Sequence, residues 1–303
     1  MWFKNLQLFR LQAAFELDPA QVDEALRKSQ FQPCGKMEMS SIGFRTPRSQ
    51  QSDSLVYPIA GCFLINLAAE EKILPGSVVK EVVNTRVAEI EEQQDRKVGK
   101  KERRDLTERV TEELLPRAFS RIRSTWAYID PANRWIVVDA ASPKKAEEVV
   151  EWLRKSIDTL RASPARTEGN PTMVMTGWLQ TAEPPSGFTI DDDCELKTPG
   201  DEGAVVRCSR QDLNAAEVRN HLDAGKLVTK LALTWDDRLS FVLTEDLQVK
   251  KLAFLDMLQE QAKDSGADTA EEQFDANFTI MSGEVAKFLP DLLDVLGGEA
   301  ATA

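Results

Sequence analysis

The sequence has one histidine, four scattered cysteines, no phosphate-binding loop and no long apolar run. Cys34, Cys62, Cys194 and Cys208 nowhere approach CxxC spacing, which excludes a zinc ribbon and a redox dithiol motif. Four reduced thiols are expected, some of them buried as small apolar side chains. His221 stands alone, so no zinc-finger ligand set can be assembled from it. It falls in an amphipathic pattern with no serine or cysteine constellation, and reads as a helix-end or packing residue. No stretch reads GxxxxGK[ST], which excludes an ATP-driven recombinase or helicase of the standard kind. No catalytic residue, metal or cofactor is expected. Apolar stretches such as Ile59–Ala69 are too short for a bilayer and include Gly61 and Asn66. The opening Met1-Trp2-Phe3-Lys4-Asn5 lacks the basic segment, apolar run and cleavage site of a signal peptide, so a soluble cytoplasmic protein is expected.

What the chain does have is enough apolar material for more than one core, with 42% hydrophobic residues over 303. Its formal charge of −12 argues on its face against nucleic acid. Net charge does not settle the matter, because affinity for phosphate depends on where lysines and arginines gather.

Phe3–Leu11 reads as a strand and Asp18-Pro19 as a capped helix start. Phe31–Phe44 reads as loop and short strand, 46–54 as an exposed loop and Gly61–Leu67 as a buried strand. From Gly76 to about Lys97, Val79, Val82, Val83, Val87 and Ile90 recur at helical spacing. Gly99 interrupts, and a second helix follows through Leu106, Val110, Leu114 and Leu115 until Pro116. The pair predicts a projecting antiparallel helical hairpin. Its tip carries Arg96, Lys97, Lys100, Lys101, Arg103 and Arg104 against Glu102, while its stems are more acidic.

Trp126–Ile129 and Arg134–Val138 read as a β-hairpin, and Ser142-Pro143 opens a helix through Leu153 and Ile157. Leu227–Trp235 and Leu239–Leu243 form a second hairpin around Asp236-Asp237, followed by a helical pattern through Leu252, Leu255 and Leu258. Lys144-Lys145 and Lys250-Lys251 follow the two hairpins, so the two units read either as a duplication or as convergence on a common motif. Segments 164–171 and 183–187 read as linkers, and 191–203 as acidic and turn-rich. Asn214 to Glu217 resembles a capping box for a helix ending near Gly225, and Thr269 with Glu272 gives another. Ser282 is expected to open a final helix with Pro290 inside it and Gly297-Gly298 after it. The result is an α+β chain of several subdomains with antiparallel sheets. Residues 1–75 form an N-terminal α+β part, 76–116 the helical hairpin, 117–163 a hairpin–helix unit and 164–303 a C-terminal α+β part.

Strand alternation places Leu231, Leu233 and Trp235 on one face with Leu239, Phe241 and Leu243. Lys226, Lys230 and Arg238 gather on the other. That face is either a solvated exterior or a surface for a phosphate backbone. The hairpin tip carries the same two readings. Arg121 and Arg123 near Phe119 form a further basic cluster, as do Arg207, Arg210 and Gln211. Asp191-Asp192-Asp193 invites comparison with a nuclease metal site, but consecutive side chains of an extended segment diverge.

Several runs resemble the RdgC recombination-associated family. They are Trp2-Phe3-Lys4-Asn5-Leu6, Glu70-Glu71-Lys72-Ile73-Leu74-Pro75, Leu115-Pro116-Arg117-Ala118-Phe119-Ser120-Arg121, Lys144-Lys145-Ala146-Glu147, Ala224 to Leu233 and Leu296 to Ala300. They span nearly the whole chain in order. The resemblance implies a nucleoid-associated, non-enzymatic protein that binds double- and single-stranded DNA with little sequence preference. It implies a ring-shaped homodimer with a basic hole, which limits the access of the RecA recombinase to DNA. It places Arg117 and Phe119 in the dimer-gate segment, Phe119 closing the interface. It places Arg210 and Gln211 at DNA, with arginine here in place of the usual lysine, and makes Lys226 a lysine of the hole. The tip bearing Lys97, Lys100, Lys101, Arg103 and Arg104 matches a finger-like projection. Lys230 is carried as a DNA contact from the basic sheet face. A protein-binding adaptor for a recombinase and a metal-dependent nuclease are the competing functions.

Overall fold

The computed structural model describes residues 1–48, 53–200, 202–264 and 266–301. Ser49, Gln50, Gln51 and Ser52 of the expected loop, and Asp201 of the acidic stretch, lie outside the described residues.

Two antiparallel sheets form the body. The first contains β1 (Gln7–Leu11), β2 (Ser40–Arg45), β3 (Val56–Ile59), β4 (Cys62–Ile73), β5 (Phe119–Asp130), β6 (Trp135–Asp139) and β7 (Ala162–Pro164). Its order is β2-β4-β5-β6-β1-β7, with β3 also paired to β4. The second contains β8 (Phe188–Lys197), β9 (Val205–Cys208), β10 (Leu227–Trp235), β11 (Leu239–Thr244) and β12 (Val249–Phe254), in the order β12-β11-β10-β8-β9. The chain before β1 joins the sheets: Leu6 and Val249 exchange backbone hydrogen bonds of 2.8 and 3.2 Å, and the Leu252 amide donates to the Lys4 carbonyl at 2.8 Å.

Helices pack on these sheets or project from them. They are α1 (Pro19–Arg27), α2 (Gly76–Gln94), α3 (Lys100–Leu114), α4 (Pro143–Ser156), α5 (Pro171–Thr181), α6 (Ala216–Asp223), α7 (Asp256–Lys263) and α8 (Ala270–Val295). Their starts follow from local chemistry. Asp18 with Gln21, and Thr269 with Glu272, form reciprocal capping boxes; Ser142 and Asn170 each accept from an amide three residues on.

Strand alternation distributes the core. On β5, Tyr128 faces the larger cluster, which joins both sheets with α5, α6, α7 and α8, while Ala127 and Ile129 face the smaller one under α1 and α4. The α2–α3 hairpin has its own small core of Val79, Val83, Val87 and Val110, supported by Leu106, Leu114 and Val98. Burying only this much apolar surface, the hairpin is a projection held at its root rather than a layer of the body.

Several expected elements differ. The opening strand starts at Gln7, and the buried strand runs on through Glu70 to Ile73. The acidic stretch runs as β8 from Asp191 to Lys197, with Cys194 and Leu196 going into the core. Leu252 is in β12, not a helix: Val249, Leu252 and Phe254 are buried on a strand, and α7 begins only at Asp256. Lys250-Lys251 is therefore on a strand while Lys144-Lys145 opens a helix, and the two hairpin units do not share a strand–strand–helix order. Segment 164–171 is pinned, with Ala165 bonded to Leu8 and Gly169 to Leu296, and Pro171 starts the unexpected α5. Asn214 does not cap α6; its N-cap is Ala215, without a side-chain bond. The final helix starts at Ala270, capped by Thr269, rather than at Ser282, and continues past Pro290.

Candidate nucleic-acid interface

The β10–β11 hairpin pairs in the expected register, Leu231 with Leu243, Leu233 with Phe241 and Trp235 with Leu239. All six are buried. Lys230 consequently stands on the opposite face, across from Glu195 of β8. Glu195 accepts from Arg207 Nε at 2.7 Å, Lys230 Nζ at 2.9 Å and Thr229 Oγ1 at 3.1 Å. Partial burial alone would raise its pKa, but these three donors outweigh it and take the carboxyl down to about 2.

A cavity of about 360 Å³ opens on this face, and Arg207, Lys230, Lys250 and Lys251 line it. The last two arrive there through a backbone irregularity. The β11–β12 register shifts between Ser240 and Val242, and Lys251 takes a left-handed φ of 52°. A β-bulge re-aims side chains, and a lysine held where glycine is favoured stores strain. Lys250 and Lys251 are the residues that strand-for-helix misassignment hid. The signal that finds them is the period-two pair Leu252 and Phe254 following the Glu245-Asp246 turn.

Arg210 and Gln211 lie just beyond β9. Arg210 has φ 53° and is exposed; its amide donates to Asp193 Oδ1 at 3.0 Å, and the Gln211 amide to the Asp192 carbonyl at 3.1 Å. Lys226 Nζ donates to Thr198 Oγ1 at 2.8 Å. Arg238 does not belong to this face. It reaches the opposite side, where its guanidinium makes a two-pronged pair with the buried Glu284 of α8 at 2.6 and 2.8 Å.

The three consecutive aspartates diverge. Asp191 accepts from the Thr234 hydroxyl, and Asp193 receives the Arg210 amide. Among the described residues no group of acids, histidines and cysteines could hold a metal ion.

The hairpin tip is basic but largely paired. Arg96 meets Glu102 at 2.7 Å, Lys97 meets Glu91 at 3.0 Å, Arg104 meets Glu108 at 3.1 Å and Arg103 donates to Asn84. Lys100 and Lys101 are exposed, and no ion pair involves them among the described residues. No hydrogen bond or ion pair among the described residues links this tip to the second sheet.

At the root of the hairpin, Arg117 ends a short 3₁₀ turn (Leu115–Arg117) and is exposed. β5 then begins at Phe119, which is 85% exposed. β4 pairs with all of Phe119–Ile129, but β6 pairs only with Trp126–Asp130. Phe119–Thr125 therefore keeps an open outer edge among the described residues. Ile73, Ile122, Met37 and Met39 are also exposed, and the Lys72 amide bonded to the Met39 carbonyl holds that methionine beside the ribbon. Arg121 lies 3.9 Å from Glu71, across the strand pair, and Arg123 is exposed on the same strand.

Fold and site together define a two-sheet α+β protein with a helical projection, whose exposed cations gather beside the second sheet, at the hairpin tip and along the β5 ribbon. The family model described as "Putative exonuclease, RdgC" matches residues 1–299. Recombination-associated protein RdgC of Dechloromonas aromatica (strain RCB) is 48% identical over 306 residues, covering all of both chains. Those of Laribacter hongkongensis (strain HLHK9) and Herminiimonas arsenicoxydans are 48% and 45% identical over 99% of each chain. The chain belongs to the RdgC family. No helix among the described residues is long and apolar enough to cross a membrane.

Proposed function

We propose that the chain acts in homologous recombination as a DNA-binding protein of the bacterial nucleoid, and that two copies close into a ring around double- or single-stranded DNA. The observation that carries this reading is the outward-facing cavity of the second sheet, where Arg207, Lys230, Lys250 and Lys251 converge in a chain of net charge −12. Arg210, Gln211 and Lys226 border the same sheet and extend the basic surface. Contacts of this kind go to phosphate and carry no sequence information.

The open β5 edge and the exposed Phe119, Ile73 and Ile122 support the dimer. An unpaired strand edge beside apolar side chains is a template for association, and exposed aromatics commonly anchor interfaces. In this reading Arg117, at the root of the hairpin, lies beside the gate, and the tip with Lys97, Lys100, Lys101, Arg103 and Arg104 is a finger that projects from it. Occupied DNA is then closed to the RecA recombinase by obstruction alone.

Retention on circular against linear DNA after a salt challenge tests the ring. A closed dimer stays on the circle and slides off free ends; equal loss from both forms rejects encirclement. The family description favours one competing reading, a nuclease, for which Asp191–Asp193 are the candidates. Cleavage in Mg²⁺ that is lost on changing those aspartates would establish it. Binding to recombinase in the absence of DNA would instead establish a protein-binding adaptor.

A further inference from the structure

The sequence spacing that excludes a CxxC motif hides a second cysteine arrangement. Cys194 of β8 and Cys208 of β9 are direct cross-strand partners. Partners in an antiparallel pair have Cα atoms about 4.5 or about 5.5 Å apart, depending on the hydrogen-bonding position, and their side chains leave the same face. Both separations fall within the roughly 4.4–6.8 Å that a disulfide spans. All four cysteines of the chain are free, and neither Cys34 nor Cys62 is a register partner of another cysteine.

The two sulfurs differ in environment. Cys194 is buried in the large core, and burial, with Cys208 and Asp193 beside it, pushes its thiol up to about 12. Cys208 is half-buried at the end of a four-residue edge strand, and both residues border the solvent-open cavity of the second sheet. A small oxidant therefore reaches Cys208 first, and Cys194 is held beside it.

We propose that Cys194 and Cys208 form an oxidant-responsive, reversible disulfide whose co-substrate is a hydroperoxide. The Cys208 sulfur attacks a peroxide oxygen; the O–O bond breaks, Cys208 becomes a sulfenic acid and one water or alcohol leaves. The Cys194 sulfur then attacks the Cys208 sulfur. The S–S bond forms, the S–O bond breaks, and hydroxide departs with the Cys194 proton as water. Overall the two thiols lose two electrons and two protons, and the hydroperoxide is reduced. A dithiol reverses the reaction by exchange. The bond ties β9 to β8 covalently, two residues before Arg210, and so restrains the loop that carries Arg210 and Gln211. The assignment does not depend on DNA binding.

The test treats the full-length protein with hydrogen peroxide and maps peptides without reduction. The expected product is a Cys194–Cys208 linked peptide within one chain, absent after dithiothreitol and absent from Cys208→Ser. In the same sample, amides 205–211 exchange hydrogen more slowly than in the reduced protein. Cys208 recovered as sulfinic or sulfonic acid without the link, or a link between chains, overturns the pairing. A link that leaves exchange at 205–211 unchanged overturns the restraint of the loop. Cys194→Ser removes one sulfur from a buried position; Cys208→Ser, at the strand end, is the control that keeps the core intact.

Discussion

Glu195→Gln is the substitution that separates stability from binding on the second sheet. Glu195 is the only carboxylate paired with Lys230 and Arg207 among the described residues, and its side chain is 13% exposed, so solvent screens it little. Its pKa falls from the ordinary 4.5 to about 2. At about 1.36 kcal/mol per pKa unit, that difference is worth up to ~3 kcal/mol at neutral pH. Glutamine keeps the shape and a neutral acceptor, and neutral hydrogen bonds have roughly half the strength of charge-assisted ones, so a loss of about 1–2 kcal/mol is expected. The sign fixes the pH window. A carboxyl with a depressed folded-state pKa stabilises above 4.5 and loses that contribution as pH falls toward 2. The stability gap between wild type and variant, measured by urea denaturation, should be full at pH 7 and close between pH 4.5 and 2. DNA binding should move the other way. Freeing Arg207 and Lys230 makes one more net positive charge available to phosphate, and the slope of log K against log[salt] should steepen by about 0.9 on duplex DNA. A gap that stays constant from pH 7 to 2, or weaker DNA binding by the variant at low salt, would refute the reasoning.

Four further outcomes follow from the same geometry. Phe119→Ala should shift the protein toward monomer in sedimentation and speed its loss from circular DNA, with an unchanged melting temperature because the ring is 85% exposed in the chain; an intact dimer refutes the gate role. Arg238→Met strands the buried Glu284 with Lys287 as its remaining cation and should cost about 3 kcal/mol in chemical denaturation, while the double change with Glu284→Leu should recover much of it. Lys251→Gly relieves a left-handed lysine and removes one cation, so the salt slope should become shallower by about 0.9 with no loss of thermal stability. Changing Lys100 and Lys101 together to glutamate should weaken DNA binding in a salt-dependent titration more than neutralising the Glu102-paired Arg96 does.

The helical hairpin was legible because its valines recur at helical spacing and Gly99 marks the turn; the structure ends the helices within a few residues of those signals. The β10–β11 faces were legible because strict alternation admits one register. What failed were segments where a helix and a strand share a composition. Val249-Lys250-Lys251-Leu252 has two adjacent lysines because a bulge breaks the period of two, and a broken period of two resembles a helix. Asp191–Lys197 looked like a loop because acids occupy its outward positions, yet Cys194 and Leu196 face inward. Arg238 is the sharpest miss at the site: it ends a turn, so alternation does not govern its direction, and Glu284 draws it to the core side. Pairing of the tip was equally invisible, since it depends on which acid each flexible arginine reaches.

Under the proposed function, the pairing changes how an acidic chain would have to hold DNA. Glu102, Glu91 and Glu108 already engage the cations on the hairpin, and Glu195 engages two on the second sheet. Among the described residues no ion pair involves Lys100 or Lys101 at the tip, or Lys250 or Lys251 beside the second sheet, so these stay available to phosphate. Each phosphate contact contributes modestly and weakens as salt rises, so a single chain with these contacts would bind loosely. In the proposed dimer a second copy would bring further cations to the same DNA molecule, and the open edge at Phe119–Thr125 is the proposed place for that copy to join. Linking the two surfaces makes the second contact intramolecular, which raises retention without any new attraction. A closed pair of the proposed kind would retain DNA even when each contact is weak, and the same weakness would let it move along the duplex.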